Sequence, residues 1–373
     1  MVTDGNPRVT EPAAFAPYAR FRETATFGSL DGLRALSILP VVWHHATPRP
    51  LEGILGKGPL GVDLFFTISG FLITTLLLRE RDRTPAARIS VRDFYRRRVL
   101  RIFPLYYTIL ALYVVRAIAW PPAPALRAHF FASLPFFATF TTNWFVDFTV
   151  PHPVVFAFSW SLATEEQFYA LWPWLFRGRW LPLIAAISLL LVDQLAERGA
   201  LAFLFAEGST TLRMLKSIAS PICLGAIAAC LAHEKRAFRL LHVVAGHRAS
   251  APFSFALLVA AIALPHVSLF TTHVVLALLV LACTVREDNG LAPFLRARPM
   301  VSLGAVSYGV YMVHVAVIAG LRPLLPGTER MLPLFAAALA LSYAAARISY
   351  RFLETPFLRM RSRHHSAASP AKR

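Results

Sequence analysis

The sequence predicts an all-α membrane protein: a polytopic bundle of about ten transmembrane helices with both termini in the cytoplasm. Of its 373 residues, 56% are hydrophobic and only 16% are charged, and the mean hydropathy is +0.54. A soluble domain of ordinary composition is much less apolar. Apolar runs long enough to cross about 30 Å of hydrocarbon recur along the chain. Arginines are concentrated in the links between certain runs, which is typical of cytoplasmic loops.

Eleven apolar runs are candidate spans. They centre on residues 30–48, 59–78, 102–120, 129–142, 155–176, 180–196, 212–232, 251–266, 268–285, 300–320 and 331–353. The strongest orientation signal is the arginine-rich link 79–101, because basic links stay in the cytoplasm. Further basic stretches, which are also predicted to lie inside, are 177–179, 235–248, 286–298 and the tail from residue 359.

The run 129–142 decides the predicted number of crossings. These orientations agree only if this run does not cross, since a full span there would place the basic link 177–179 outside. At about 14 residues the run is short for a span and suits a re-entrant or interfacial segment. We therefore predict ten crossings, and eleven is the alternative.

One integral-membrane domain, residues 30–357, is predicted between two short flanks. Residues 1–29 lack the apolar core and cleavage site of a secretory signal, so we expect a cytoplasmic lead-in. Residues 358–373 are predicted to be a basic cytoplasmic tail, and the chain is predicted to lie in the cell membrane. The net charge of +18 lies between the spans, which indicates topology rather than nucleic-acid binding. All three cysteines fall inside apolar runs, which indicates packing rather than disulfide or metal chemistry.

Ionisable residues inside the first two runs mark a candidate polar site, because charge is expensive in hydrocarbon. Arg34 and His45 are close to three helical turns apart, so they share one helix face and are separated by about 16 Å along the axis. Asp63, on the next run, reaches the depth of His45 and is expected to orient a general-base imidazole. Simpler alternatives are an Arg34 that reaches the interface, a His45 that caps a helix end, and an Asp63 favoured by the helix dipole.

Arg98 and Arg101 lie one helical turn apart at the cytoplasmic mouth of the third predicted span. Guanidinium groups in this position could bind the phosphates of a nucleotide-bearing cofactor through charge-assisted hydrogen bonds. Topology signalling and contact with anionic lipids explain the same pair of residues. Both interpretations remain open at the level of the sequence.

Later runs add carboxylate, hydroxyl and imidazole groups. Ser161, Glu165 and Tyr169 fall on one stripe at four-residue spacing, so Glu165 is predicted to face the bundle interior. The alternative is that Glu165 only braces another helix through a buried hydrogen bond. Tyr311 and His314 share a face of the run 300–320, where a polar seam between helices is the alternative to a role in the site. No metal site is predicted.

Taken in this order, the motifs resemble the membrane-bound acyltransferase-3 family, whose members O-acylate carbohydrates and related acceptors. The resemblance covers most of the chain. It rests on Arg34 with ten residues before His45, Gly61-Val62-Asp63 to Ser69-Gly70-Phe71, Arg98 and Arg101 before Ile-Phe-Pro, Ser161-Leu162 through Glu165 to Phe168-Tyr169, Tyr311 to His314, and Glu354 with Pro356.

The resemblance implies an O-acyltransferase that moves an acyl group, commonly acetyl, from acyl-coenzyme A to a hydroxyl of a carbohydrate, glycosylated or lipid-linked acceptor. Arg98 and Arg101 would bind the phosphates of the donor. His45 would act as general base or briefly carry the acyl group, with Asp63 or Glu165 orienting it. Arg34 would steady the donor or the developing oxyanion.

Two other functional classes remain open. A secondary transporter of an anionic or sugar-like solute would also bury such groups, but it should have symmetry-related halves with discontinuous helices, and the sequence has no matching halves. A structural scaffold in an envelope assembly would leave the intramembrane carboxylates unexplained. The sequence predicts neither the acceptor nor the oligomeric state.

Overall fold

The computed structural model describes residues 16–47, 53–84, 88–120, 122–148, 150, 154–325 and 331–360. Over these residues the chain is helical and contains no strand, which confirms the predicted all-α class. The helices are α1 Ala16–Glu23, α2 Ser29–Ala46, α3 Leu60–Arg83, α4 Val91–Ala119, α5 Pro124–Ala138, α6 Thr142–Phe145, α7 Ser159–Leu171, α8 Leu181–Glu197, α9 Thr210–Lys216, α10 Ser220–His233, α11 Lys235–Ala245, α12 Ser250–Ala263, α13 Leu269–Val285, α14 Ala292–Leu295, α15 Arg298–Ala305, α16 Ser307–Leu321 and α17 Met331–Ser349.

Several of these helices are long and apolar enough to cross a membrane. Within the described residues, Leu60–Arg83, Val91–Ala119 and the continuous segment Met331–Met360 each meet this requirement alone. Three bent pairs meet it together: α9 with α10, α11 with α12, and α15 with α16. Up to six spans follow from length and composition, so ten crossings and the side of each terminus remain predictions. The run 129–142 covers the greater part of α5, the turn that follows it and the first residue of α6, and the 15 residues of α5 rise only about 22 Å.

Local sequence explains where many helices begin. The side-chain oxygens of Ser90, Ser209 and Ser268 cap the starts of α4, α9 and α13, where each accepts a hydrogen bond from a backbone N–H of the first turn. Proline occupies the first turn of α5, α8, α10 and α15, where its missing N–H costs no intrahelical bond. Between α15 and α16 the chain turns by 74°. Helix α16 therefore enters the bundle at its first residue, Ser307.

The flanks of the predicted domain are partly described. In the lead-in 1–29, α1 packs against the end of α3, where buried Arg79 donates to the carbonyl of Phe21 at 2.8 Å. The guanidinium carbon of Arg79 also lies 4.9 Å from the centre of the Phe27 ring. These contacts dock the lead-in onto the bundle. Residues 1–15 and most of the predicted tail, 361–373, lie outside the described residues.

Helix α3 is central to the bundle and packs on α2, α10 and α13. Its contact with α10 is close because two glycines face the opposite backbone. A Cβ atom at Gly70 would lie 2.0 Å from the carbonyl oxygen of Ile222, and one at Gly225 would lie 2.2 Å from that of Thr67. Small residues are the usual way in which membrane helices approach closely. This packing fixes the position of the polar residues on α3.

Replacing Gly70 with alanine is expected to lower the stability of the folded protein by about 1–3 kcal/mol, because the new methyl group must separate α3 from α10. Thermal unfolding in detergent measures this loss as a reduced Tm. Gly320→Ala is the matched control, since among the described residues no atom lies within 4 Å of its added Cβ. Equal Tm values for the two variants would contradict the close helix contact.

Candidate active site

A cavity of about 140 Å³ lies between α2, α3, α4, α7 and α16, near the N-terminal end of α4. We call it the inner cavity. It brings together seven of the polar residues proposed from the sequence: Arg34, Arg98, Arg101, Ser161, Glu165, Tyr169 and Tyr311. These residues come from four different helices. These residues meet only in the tertiary structure, whereas helical spacing alone predicts which of them share a face of one helix.

The inner cavity carries an excess of positive charge. Three arginines line it with one carboxylate, Glu165, whose Oε1 accepts a hydrogen bond from the Tyr169 hydroxyl at 2.8 Å. Arg34 is paired with Asp31 at 2.7 Å. The Arg98 guanidinium carbon lies 5.7 Å from the Tyr169 ring centre, and its buried Nε has no hydrogen-bond partner among the described residues. An anionic ligand would supply the missing acceptor.

The outer wall of the inner cavity is a hydrogen-bonded contact between α7 and α16. The hydroxyls of Ser161 and Tyr311 lie 2.5 Å apart, and one of them donates to the other. The remaining hydroxyl proton is donated to the carbonyl oxygen of Phe158, which lies 3.1 Å from Ser161 Oγ and 2.9 Å from the Tyr311 hydroxyl oxygen. Directly beyond Tyr311 on α16 is His314, which is completely buried. The polar seam therefore continues from the cavity toward the other end of the bundle.

His45 and His314 form a pair behind this wall. His314 Nδ1 lies 2.6 Å from the carbonyl oxygen of Tyr311, and His314 Nε2 lies 3.3 Å from His45 Nδ1. His45 Nδ1 is also 3.0 Å from the carbonyl oxygen of Val41. Since both neighbours of His45 Nδ1 can accept, the hydrogen-bond network assigns its proton to Nδ1 and leaves the lone pair on Nε2. This is the tautomer that a general base acting through Nε2 requires.

His45 also lines a second and larger space, which we call the outer groove. It has a volume of about 1700 Å³ and lies between α2, α4, α16 and the segment 154–158. Phe156 in this segment has a φ of 65°, in the left-handed region. Such backbone strain persists where packing enforces it, and here the rings of Tyr106, Tyr113 and Phe137 surround Phe156. The groove wall is thus a rigidly packed segment.

Comparison with known proteins agrees with this arrangement. A family model described as "Acyltransferase domain" matches residues 27–351, which is most of the chain. The chain belongs to this acyltransferase family. The resemblance stated from the sequence motifs is therefore confirmed, and the matching family is one of acyltransferases, as the predicted enzyme class requires. No solved structure gives a significant match.

Among curated relatives of the acyltransferase are O-acetyltransferases of bacteria. The chain is 26% identical over 358 residues to "Peptidoglycan O-acetyltransferase OatA" of Listeria monocytogenes, and this alignment covers 88% of the chain and 55% of the relative. It is 26% identical over 355 residues to "O-acetyltransferase OatA" of Staphylococcus aureus, covering 88% and 56%. "Putative peptidoglycan O-acetyltransferase YrhL" of Bacillus subtilis is 28% identical over 355 residues, covering 88% and 54%. The chain spans about half the length of these relatives.

One predicted pairing of the acyltransferase needs correction. Asp63 was expected to orient His45, but its carboxylate Oδ2 lies 3.2 Å from Nε2 of His273, on α13. Asp63 lines neither the inner cavity nor the outer groove. Its position along the apolar run predicts only its depth in the bundle, and the close packing of α3 on α10 and α13 turns it toward His273 instead. Glu165 likewise has Tyr169 as its partner, so neither carboxylate contacts His45 through a described hydrogen bond.

Asp63→Ala is therefore expected to destabilise the acyltransferase by about 1–3 kcal/mol, because it leaves the buried His273 without its partner. Acyl transfer by the folded fraction should be retained. The double variant with His273→Gln should lose little more stability than either single variant, since both remove the same contact. Full loss of transfer in Asp63→Ala at an unchanged Tm would restore Asp63 to the chemistry.

Three polar residues of the inner cavity were not among the site residues proposed from the sequence. They are Ser69 on α3 and Ser307 and Tyr308 on α16. Each is a polar residue in an apolar run, so the signal that singled out Glu165 was available for them too. Arg116 and Arg322 line the outer groove and were also missed, because an arginine near the end of a span is usually explained by the interface.

Proposed function

We propose that this protein is an integral-membrane O-acyltransferase that transfers an acyl group, most simply acetyl, from acyl-coenzyme A to a hydroxyl of a carbohydrate. The observation that carries the proposal is the arrangement of two spaces along one polar seam. The arginine-lined inner cavity lies on one side of the wall formed by Ser161 and Tyr311, and the histidine pair at the outer groove lies on the other.

The inner cavity suits the narrow part of such a donor. Pockets that enclose drug-sized ligands measure about 300–1000 Å³, so a space of about 140 Å³ admits a slender thioester arm and leaves the nucleotide at its mouth. Arg98 and Arg101, in the early part of α4, would hold phosphates there through charge-assisted hydrogen bonds. The buried Nε of Arg98, which has no hydrogen-bond partner among the described residues, supports this assignment. Arg34 would help to hold the donor in the inner cavity. It lies about 16 Å from His45 along α2, so it is not placed to contact the carbonyl that a hydroxyl at His45 attacks.

His45 is the proposed general base for the acceptor. Its Nε2 would take the proton of the acceptor hydroxyl, while His314 Nε2 accepts from Nδ1–H and supports the charged imidazolium. When bound, the thioester supplies the acyl carbon and a thiolate leaving group. The carbon–sulfur bond breaks, the ester carbon–oxygen bond forms, and the thiolate is protonated as coenzyme A leaves. Tyr311 acts as a positioning residue, since its carbonyl holds His314 and its hydroxyl holds Ser161.

The cellular setting is part of the same proposal. We place the chain in the cell membrane with ten crossings and both termini in the cytoplasm, so that acyl-coenzyme A reaches Arg98 and Arg101 from inside. The relatives named as peptidoglycan O-acetyltransferases support a carbohydrate of the cell envelope as the acceptor. A topology reporter fused after Trp144 or after Arg179 tests the crossings. We expect the fusion after Arg179 to report the cytoplasm, and an external signal there would favour eleven spans.

The decisive experiment uses the purified protein in phospholipid vesicles with radiolabelled acetyl-coenzyme A. If the protein transfers acetyl groups, coenzyme A is released in the vesicles. Mass spectrometry of membranes with and without the protein should also show an acetyl mass increment on an envelope glycan. Uptake of a solute without covalent change would support a transporter instead. That alternative is not favoured by the family to which the chain belongs.

A further inference from the structure

A further cavity lies apart from both spaces of the candidate site, and we call it the basic cleft. It has a volume of about 490 Å³ and lies between α1, the end of α3, the segment 176–180, α8 and the junction of α10 with α11. Among the described residues, none lines both this cleft and either the inner cavity or the outer groove. Pockets for small ligands measure about 300–1000 Å³. The cleft is therefore large enough for a ligand of its own.

The basic cleft carries an excess of positive charge. Five basic side chains line it with two carboxylates: Arg22, Arg81, Arg177, Arg179 and Lys235, with Asp82 and Glu234. Asp82 Oδ2 lies 2.5 Å from Arg22 Nη2. Glu234 Oε2 lies 2.7 Å from Arg179 Nη2. Arg177 is exposed and forms no ion pair within the described part of the chain. Since both carboxylates are already engaged, the cleft favours an anionic ligand.

The buried wall of the cleft presents a hydrogen-bond acceptor. His233, the last residue of α10, lines the cleft and is only 9% exposed. Its Nδ1 lies 2.8 Å from the carbonyl oxygen of Ala229, which can only accept, so Nδ1 carries the proton. In the neutral ring the lone pair is then on Nε2, which is buried and has no hydrogen-bond partner among the described residues. A ligand with a hydroxyl group would supply the missing donor.

The surroundings of the cleft match the surface of a bilayer. Trp180 lines the cleft, is 48% exposed and directly precedes α8, where Ile184 is 57% exposed. On the other side, α11 exposes the apolar side chains of Leu240 and Val243. Tryptophan beside an exposed apolar helix is typical of the membrane interface. The bordering basic links 177–179 and 235–248 are predicted to be cytoplasmic, so the nearest lipids are those of the inner leaflet.

We propose that the basic cleft binds the headgroup of an anionic phospholipid that carries a hydroxyl group, as phosphatidylglycerol does. The phosphate would contact Arg81 and Arg177, and a glycerol hydroxyl would donate to His233 Nε2. A phosphodiester has no proton to donate, so phosphate alone leaves Nε2 without a donor. An ammonium headgroup would meet like charge. Soluble glycerol phosphate offers the same chemistry without hydrocarbon, and the experiment separates these two sources.

The test measures lipid binding to the delipidated full chain in detergent by native mass spectrometry. The unmodified protein should bind phosphatidylglycerol about tenfold more tightly than phosphatidylethanol, which has the same charged phosphodiester and no hydroxyl. His233→Phe should remove this preference, and His233→Gln should keep part of it because its amide oxygen can accept. Arg177→Gln should weaken binding of both lipids by about tenfold. Arg236→Gln is the matched control, since this exposed arginine of α11 does not line the cleft.

Equal binding of the two lipids by the unmodified protein would overturn the inference, and this comparison holds even if His233→Phe does not fold. Undiminished binding to Arg177→Gln, or an equal loss in Arg236→Gln, would also overturn it. If soluble glycerol 3-phosphate competes at the same concentration as phosphatidylglycerol, the cleft is a site for free phosphate esters and the lipid is excluded. Binding is measured without acyl transfer, so failure of the proposed function would not change any of these outcomes.

Discussion

Replacing His45 with alanine is expected to reduce acyl transfer by about 10²–10⁴-fold, the range that general-base catalysis contributes. The imidazole is the one group of the proposed site that both lines the outer groove and carries a tautomer fixed through Nδ1. Its neighbour His44 also lines the groove, about 100° away around the helix, so it does not take the position of the His45 ring. The measurement is coenzyme A release in vesicles that contain equal amounts of folded protein.

His266→Ala is the matched control for this prediction. His266 is exposed and lies outside both the inner cavity and the outer groove. We expect its transfer rate to equal that of the unmodified protein. A His45→Ala protein with an unchanged Tm and normal turnover would remove His45 from the chemistry. Donor binding at the inner cavity should persist in this variant, because Arg98 and Arg101 are unaffected.

The double change Arg98→Gln with Arg101→Gln is expected to raise the KM for acetyl-coenzyme A by about 10²–10⁴-fold. Each hydrogen bond to a charged group contributes about 1.5–3 kcal/mol, and each 1.4 kcal/mol corresponds to about tenfold in affinity. The side chains line the mouth of a cavity with little competing negative charge, so their contacts to phosphate should not be replaced. Initial rates over a range of donor concentrations measure the effect, with acceptor saturating.

Arg92→Gln controls for the removal of positive charge from the same helix. Arg92 lies in the first turn of α4, is exposed, and does not line the inner cavity. Its KM for the donor should be unchanged. Replacement of Arg98 and Arg101 by lysine should recover part of the affinity, because charge is kept while the planar fork is lost. Unchanged KM in the double glutamine variant would show that these arginines serve topology alone.

Much of the candidate site could be predicted because helical spacing is a local property. Ser161, Glu165 and Tyr169 share a stripe at four-residue intervals, and the structure places all three on the inner cavity. Arg34 and Arg98 reach the same cavity from two other helices, as expected for charges that avoid hydrocarbon. The depth of each group in the bundle follows from its position along an apolar run. Which helix it faces does not follow.

The partner of each titratable group shows this limit most clearly. His45 and His314 are 269 positions apart, and their rings meet because α2 and α16 adjoin. Asp63 and His273, 210 positions apart, meet because α13 packs on α3. Asp63 and His45 were expected to pair on the basis of equal depth alone. Equal depth allows a contact but does not determine the rotation of one helix about its axis relative to another.

By itself, the sequence determined the all-α class, the positions of most apolar helices, the family, and most of the polar residues that line the inner cavity. These depend on composition and on the period of 3.6 residues per turn, which are properties of one segment at a time. Only the tertiary structure decided that Arg34 and His45 line two different spaces, and that Tyr311 and His314 connect them. That division depends on which helices pack together, and packing is set by contacts such as those of Gly70 and Gly225 between distant segments.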